Sequence, residues 1–439
     1  MVLDPALIAA RDAQEGWWKA QPNLEALDSV VALHFQRRHP PASSQHIKRE
    51  LLNQGCYALV YLYTLHTATH PGMIDAVVAK VVLPWRPRYK TDGEVATMRF
   101  IHSQTNIRVP EVYKHCSDLP NDVGMEWILM EYVPGERGAD VYPELGRKEK
   151  RHLIQQLARI VARLFMIKAT EIGTLLPVGA SYVPSRNRTL YKDGDDVSWW
   201  IGPLNDLAYE DLWLIRSIPA DRCGPFKNTR ELFEAFALLG KPPLRAPINH
   251  APGNKFLELY DLVIDRPRDT ETFCFSHGDL ALRNILITRD GDITAVLDWA
   301  NAGFRPPSLA ATAPDFFEDD EKLSGTPDSD QTTPEALKIL REEGEEYFIA
   351  LYRTLLHEAN PSLYASHVHG AEQRQMYHSL QRSSSPGNLV MWMWKYGEVF
   401  RERSEERSKA RREFSAGLPD WFYERQCELG QHKHEEWEM

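Results

Sequence analysis

Cysteine is scarce in this chain. Five residues, Cys56, Cys116, Cys223, Cys274 and Cys427, are scattered along 439 positions, odd in number and without close pairing. That spacing argues against a disulfide scaffold and against a zinc site, and fits free thiols in a reducing compartment. Long apolar runs are lacking as well: no stretch reaches the ~20 residues that span a bilayer. The N-terminus, Met-Val-Leu-Asp-Pro-Ala-Leu, has neither the basic start nor the apolar run of a signal peptide. The C-terminus, ending His-Glu-Glu-Trp-Glu-Met, matches no common address signal, so a cytoplasmic location is expected. Positive charge is in deficit, with a formal net charge of −11. Nucleic acid and anionic membranes both want a basic surface, so neither is expected as a partner. The composition, 43% hydrophobic and 26% charged, is that of a soluble globular protein with a sizeable core and two or three packing units.

Three regions are expected along the chain. Residues 1–49 read as a helical extension: Trp17, Trp18, Leu24, Leu27, Val30, Val31 and Leu33 suggest apolar helix faces, and Pro40-Pro41 ends them. Residues 50–133 read as a small sheet with one helix. Leu52–Tyr63 and Ala76–Leu83 form a hairpin around His70-Pro71-Gly72, Gly93–His102 is helical, and Val109–Tyr113 and Trp127–Met130 are further strands. Pro134-Gly135 opens the third region, 134–439. It holds a strong amphipathic helix over Lys148–Ala169, an irregular aromatic segment from about 174 to 230, and a hairpin over Asn284–Leu297 turning at Arg289-Asp290-Gly291-Asp292. An acidic loop over Asp315–Thr333 is followed by helices over Pro334–Glu358 and Gly387–Phe414.

The most informative run is Phe275-Ser276-His277-Gly278-Asp279-Leu280-Ala281-Leu282-Arg283-Asn284-Ile285-Leu286-Ile287, followed by Ile293 to Trp299. Asp279 lies in a loop after an apolar strand, Asn284 opens the next strand, and the return strand ends at Asp298. A hairpin brings its ends together, so Asn284 and Asp298 are expected side by side. Two hard oxygen ligands there suit Mg²⁺, which takes its remaining ligands from water and substrate phosphates. Asp279 would stand beside those phosphates, placed to accept a proton from an incoming hydroxyl. The pattern His-Gly-Asp-x-x-x-x-Asn, Ile-Leu, then Leu-Asp-Trp resembles the aminoglycoside phosphotransferase and choline kinase family. The resemblance implies an α+β, two-lobed protein-kinase-like fold with a small antiparallel-sheet N-lobe and a larger, mainly helical C-lobe. It implies Asp279 as catalytic base, Asn284 and Asp298 as magnesium ligands, and His277 as a brace of the loop.

The N-terminal region adds to this. Lys80 sits inside the apolar run Ala76-Val77-Val78-Ala79-Lys80-Val81, where a buried lysine needs a charge partner. Glu94, at the start of the expected helix, is the candidate, and the pair resembles the lysine and glutamate that orient ATP in kinases. Leu129-Met130-Glu131-Tyr132-Val133-Pro134-Gly135 resembles the hinge between kinase lobes, whose backbone at Glu131 and Val133 would bond the adenine edge. Asn53-Gln54-Gly55-Cys56-Tyr57-Ala58 occupies the place of the phosphate loop. It carries a single glycine, Gly55, and has Cys56 and Ala58 where the family often shows Ser and Asn.

The expected activity is ATP- and Mg²⁺-dependent phosphoryl transfer to a hydroxyl of a small molecule. The alternatives are a catalytically silent nucleotide-binding or scaffold protein, motivated by Cys56 and Ala58, and an atypical protein kinase. The last is disfavoured by His-Gly-Asp in place of His-Arg-Asp, Asp298-Trp299 in place of Asp-Phe-Gly, and the lack of Ala-Pro-Glu downstream. Acceptor-pocket candidates are Asp195, Asp196, Trp199, Trp200, Asp206, Glu210 and Asp211. Aromatic and carboxylate groups suit a cationic amine. The same residues also read as core tryptophans and a solvated acidic surface, which base rates favour, and Glu318-Asp319-Asp320-Glu321 reads as a solvated loop.

Overall fold

The computed structural model describes residues 21–38, 47–55, 57–66, 74–83, 86–193, 197–206, 223–239, 260, 271–314 and 345–381. The chain enters through helix α1, Leu24–Arg38. Strands β1, Ile47–Gln54, β2, Ala58–His66, and β3, Ile74–Val82, follow. The expected strand Leu52–Tyr63 is thus divided between two strands, β1 and β2, and Gly55 N–H donates to Ala58 O at 2.9 Å where they meet. Helix α2 runs Tyr89–Gln104, and β4, Val112–Cys116, and β5, Glu126–Glu131, complete an antiparallel sheet of order β1-β2-β3-β5-β4. Period-two alternation divides the sheet between two helices. Tyr61, Tyr63, Val77, Ala79 and Val81 pack with Leu27, Val31 and Phe35 of α1, while Ile128 and Met130 share a core with Val95 and Met98 of α2. Asp28 anchors α1 to the sheet by accepting from Tyr63 Oη at 2.8 Å and from Arg49.

After the two-residue strand β6, Glu136–Arg137, helix α3, Arg147–Phe165, buries Leu153, Ile154, Leu157, Ala158, Val161, Leu164 and Phe165 along one face. It ends before the expected Ala169, because Lys168–Ala169 forms strand β7 and pairs with Phe273–Cys274. The segment expected to be irregular holds a three-stranded antiparallel sheet: β8, Thr174–Pro177, β9, Thr189–Asp193, and β10, Val197–Gly202, ordered β8-β10-β9. Adjacent tryptophans on β10 face opposite ways. Trp199 enters the core edge-on to Phe100, whereas Trp200 donates to Val178 O at 2.7 Å and lies under the Arg188 guanidinium. Helix α4, Thr229–Leu239, leads to β11, Phe273–Ser276, then the hairpin β12, Ile285–Ile287, and β13, Ile293–Val296, and finally β14, Gly303–Arg305. Helices α5, Glu345–Ala359, α6, Pro361–His369, and α7, Ala371–Gln381, close the lobe, α5 packing on α3 through Tyr352 and Leu356. A small antiparallel-sheet lobe above a larger, mainly helical one is the two-lobed α+β protein-kinase-like fold. No helix among the described residues is long and apolar enough to cross a membrane. The His70-Pro71-Gly72 turn, the Asp315–Thr333 loop and the Gly387–Phe414 helix lie outside the described residues.

Glu126, the first residue of β5, is 1% exposed, and its carboxylate accepts the N–H of Arg88 at 2.7 Å just ahead of α2. Burial pushes it from 4.5 to about 7, offset only in part by such hydrogen bonds. Between those values the unfolded chain has lost this proton and the folded chain retains it, so stability falls as pH rises from about 4.5 to about 7. Glu126→Gln keeps an oxygen for Arg88 and removes the titration. Its melting temperature relative to the parent protein is expected to climb between pH 5 and pH 8, by the equivalent of at most about 3 kcal/mol. Parallel melting curves across that range would contradict this.

Candidate active site

The alternation that turns Val77, Ala79 and Val81 toward α1 turns Lys80 toward α2. Its ammonium donates to both carboxylate oxygens of Glu94, at 2.7 and 2.9 Å, and to Oδ1 of Asp298 at 2.9 Å. Helix α2 begins at Tyr89, ahead of the expected Gly93, so Glu94 stands in its second turn rather than its first. Lys80 is 8% and Glu94 1% exposed. Burial alone would lower the Lys80 pKa, but the Asp298 and Glu94 carboxylates outweigh it and hold the ammonium above its ordinary value. Burial raises Glu94 above the usual carboxylate range despite Lys80. Burial also works to raise Asp298, yet Lys80 prevails and holds that carboxyl well below its ordinary value, so it is ionised throughout the physiological range.

Helix α2 is fixed from the C-lobe side. Asn205 donates to Tyr89 O at 3.1 Å, and Arg86 donates to Asn205 Oδ1 at 3.0 Å and to Leu204 O. Gly93 is a glycine because a Cβ there would stand 2.8 Å from Asn205 Nδ2 and 2.9 Å from Thr174 Cγ2. The β8–β10 insert thereby holds the helix that presents Glu94.

The β12–β13 hairpin pairs Ile285 with Val296, and one step further Leu297 N–H donates to Asn284 O at 2.7 Å. Asn284 and Asp298 therefore lie at the same end of the ribbon. Asp298 has a left-handed backbone, φ 59° and ψ 64°, which Asp tolerates better than most residues and which ends the strand. His277 bridges the loop and the hairpin: its Nε2 bonds Leu297 O at 2.9 Å, and its Nδ1 accepts from Asp279 N–H at 3.3 Å. A carbonyl partner fixes the proton on Nε2, and burial holds His277 below its ordinary pKa, in the neutral form. Gly278, at φ +80°, would place a Cβ 2.1 Å from Asn301 O, so the turn into Asp279 has no room for a side chain. Asn284 Nδ2 donates to Asp279 O at 2.8 Å and to its Oδ2 at 3.0 Å, and Arg283 donates to Oδ1. Two groups of contacts thus meet at this end of the ribbon, Asp279 with Asn284 and Lys80 with Glu94 and Asp298, joined through the backbone bond between Leu297 and Asn284.

Magnesium asks for hard oxygen ligands. Asp298 supplies an ionised, partly exposed carboxylate. Asn284 spends its amide N–H groups on Asp279, and its amide oxygen has no protein donor among the described residues. No group of three His, Cys, Asp or Glu among the described residues is placed to hold a metal ion, so an ion here would complete its shell from phosphates and water. The two residues fit Mg²⁺ on those terms.

At the hinge, Glu131 uses its side chain structurally: the carboxylate accepts from Arg108 and from Glu111 N–H at 3.1 Å, while its own N–H donates to Glu111 O at 2.9 Å. Val133 is 7% exposed, and its N–H has no protein acceptor among the described residues, a donor that a bound base edge would satisfy. Gly55 holds the turn between β1 and β2, and Cys56 lies outside the described residues.

Of the acceptor-pocket candidates, Asp195, Asp196, Glu210 and Asp211 lie outside the described residues. Asp206 is 2% exposed and is held by Arg305 at 3.3 Å and by the Tyr377 hydroxyl, so it serves the core and does not face a substrate. Trp199 and Trp200 are likewise structural. Sequence reading missed Arg283, Asn205 and Arg305. Arg283 carried a signal, since it lies four residues after Asp279 in a short helical turn, where two side chains can meet.

Several known proteins are similar to this chain. A subtelomeric hrmA-associated cluster protein of Aspergillus fumigatus is 26% identical over 290 residues, 56% of each chain. The altered inheritance of mitochondria protein 9 of Yarrowia lipolytica is 24% identical over 263 residues, 52% of this chain and 44% of that one. The chain thus spans about half the length of the curated relatives it matches. Among solved structures, the GDP and kanamycin complex of APH(2")-IIIa is 13% identical, covering 87% of this chain and 99% of that one, with a TM-score of 0.43. The ADP-bound aminoglycoside phosphotransferase APH(2'')-Ib is 15% identical, with coverages of 86% and 98% and a TM-score of 0.43. The model of the phosphotransferase enzyme family matches residues 63–309. That span is more than half of the sequence and runs from β2 through Asp298 to the turn after β14, and by it the chain belongs to the phosphotransferase enzyme family.

Proposed function

We propose that this chain transfers the γ-phosphoryl group of ATP to a hydroxyl of a small molecule, with magnesium bound beside the nucleotide. The observation that carries this reading is the contact of Lys80 with both Glu94 and Asp298, at one end of the hairpin where Asn284 holds Asp279. In this reading the Glu131 carbonyl and the Val133 N–H take the adenine edge, and the backbone around Gly55 covers the phosphates. Lys80, kept charged by its two carboxylates, grips the phosphates, and Glu94 keeps it extended into the cleft. Asn284 and Asp298 would hold Mg²⁺, which when bound neutralises phosphate charge. Asp279 aligns the acceptor hydroxyl and takes its proton as the oxygen forms a bond to the γ-phosphorus, the bond to the β-phosphate oxygen breaks and ADP leaves. Most of the rate would come from positioning and charge neutralisation.

The test is a screen of hydroxylated metabolites for ADP release with Mg·ATP, beside a thermal-shift titration of nucleotide with and without Mg²⁺. A magnesium-dependent shift and acceptor-stimulated ADP release are expected. Binding without any turnover would favour the silent alternative, and transfer to an added protein but to no small molecule would favour a protein kinase.

A further inference from the structure

The turn between β1 and β2 is tied at its base by main-chain bonds. Gly55 N–H donates to Ala58 O at 2.9 Å, and Tyr57 O accepts the N–H of Leu83, just past β3, at 3.0 Å. Neither bond reaches α2. A side-chain contact does: the Lys90 ammonium lies over the Tyr57 ring, 4.3 Å from its centroid. Lys90 is the second residue of α2 and is 7% exposed. A cation there has lost most of its water and faces the positive end of the helix dipole, and both are unfavourable. The face of the ring offsets part of this, and does so best where water is excluded. Lys90 also stands one helical turn ahead of Glu94, on the same side of the helix. At Glu94 and Asp298, where burial is the strongest influence and Lys80 the next, the Lys90 charge is felt as well and favours the ionised carboxylates. The contact therefore joins the turn beside Gly55 to the helix that presents Glu94 to Lys80.

We propose that Lys90 is a positioning residue: its contact with the Tyr57 ring clasps the phosphate-covering turn to α2 and so sets how tightly the phosphates of the nucleotide are held. This rests on the phosphotransferase reading above. Lys90 forms and breaks no bond. Its part needs no unpaired ammonium, since a cation over a ring keeps its N–H groups for other partners, and both residues have further interactions. What the clasp supplies is preorganisation. A turn already held against α2 loses little freedom when the phosphates arrive beneath it, whereas a loose one must be ordered at that moment and binds them more weakly.

The experiment measures, by calorimetry, the affinity of the full chain for Mg·ATP, Mg·ADP and adenosine. Lys90→Met fills the volume of the lysine stem and removes the cation, and Tyr57→Leu removes the ring. Each is expected to weaken Mg·ATP and Mg·ADP on the order of tenfold, the scale of one desolvated cation–π contact. Adenosine, which places no phosphate under the turn, should bind each variant as it binds the parent, and a general disturbance of the lobe would not spare it. Lys90→Arg, which keeps a cation over the ring, should recover most of the affinity. Lys90→Met combined with Tyr57→Leu should be no weaker than either alone, because both remove the same contact. Unchanged Mg·ATP affinity in Tyr57→Leu, equal losses for adenosine, or losses that multiply in the double variant overturn the proposal. The first of these, with a loss in Lys90→Met, would mean that the ammonium acts on the phosphates without the ring. If Lys90→Met does not fold, Tyr57→Leu and Lys90→Arg still decide: the first must lose affinity for Mg·ATP and the second must keep most of it. A parent protein that binds no nucleotide at all overturns the phosphotransferase reading and takes this inference with it.

Discussion

Asp279→Ala is expected to lower ATP-dependent phosphorylation of any acceptor by about 10²- to 10⁴-fold, the usual contribution of a positioned general base. Nucleotide affinity should hold within a few-fold. The reason lies in how the loop is tied. Asn284 donates to the backbone carbonyl of residue 279 at 2.8 Å as well as to the carboxylate at 3.0 Å, so truncation removes one of its two contacts and leaves it in place. The N–H of residue 279 still finds His277 Nδ1, and His277 still holds Leu297 O at 2.9 Å. Lys80, Glu94 and Asp298 make no contact with the Asp279 side chain among the described bonds and keep their own ion pairs. Asn is the poorer replacement. One end of its amide would set an NH₂ against Asn284 Nδ2 or against Arg283, two donors facing each other, and the loop would shift for reasons unrelated to proton transfer. Acceptor-dependent ADP release and Mg·ATP thermal shifts on the same Asp279→Ala preparation check the prediction, and equal turnover in parent and variant would remove Asp279 from the chemistry.

The geometry of the candidate site was legible because short-range rules place its residues. The interval from Asp279 through Asn284 to Asp298 spans one loop and one tight hairpin, and hairpin pairing alone puts Asn284 beside Leu297. Lys80 was legible because one charge in a strand of period two must face something charged, and Glu94 on the next helix was within reach. The β8–β10 sheet was not legible. Its strands are short and interrupted by the Gly179–Arg188 excursion, and they pair only with one another, so no periodic run betrays them. Asp206 misled for a related reason: an acid among aromatics looks like a cation receptor until Arg305, a hundred residues along the chain, is seen against it. Arg283 stands between these cases. It lies in plain view inside the motif, but only the fold of the turn shows that it reaches back to Asp279.

Lys80→Met should be the most damaging single change to both stability and nucleotide use. Lys80 donates to both carboxylate oxygens of Glu94, and Glu94 is 1% exposed. Removing one member of a buried pair leaves the other uncompensated and costs about 3–5 kcal/mol. Part of that is recovered by protonation of Glu94, whose pKa burial already raises. Methionine fills the volume of the lysine stem, so little of the loss comes from a cavity. A second substitution separates the causes. In Lys80→Met with Glu94→Leu the unpaired charge is gone, and most of the lost melting temperature should return, since apolar replacement of a buried pair is often neutral or better. Turnover should not return, because neither methionine nor leucine can grip a phosphate. A double variant that stays as unstable as the single one would mean that Lys80 stabilises the fold through Asp298 rather than through Glu94. Recovery of stability together with activity would remove Lys80 from nucleotide binding.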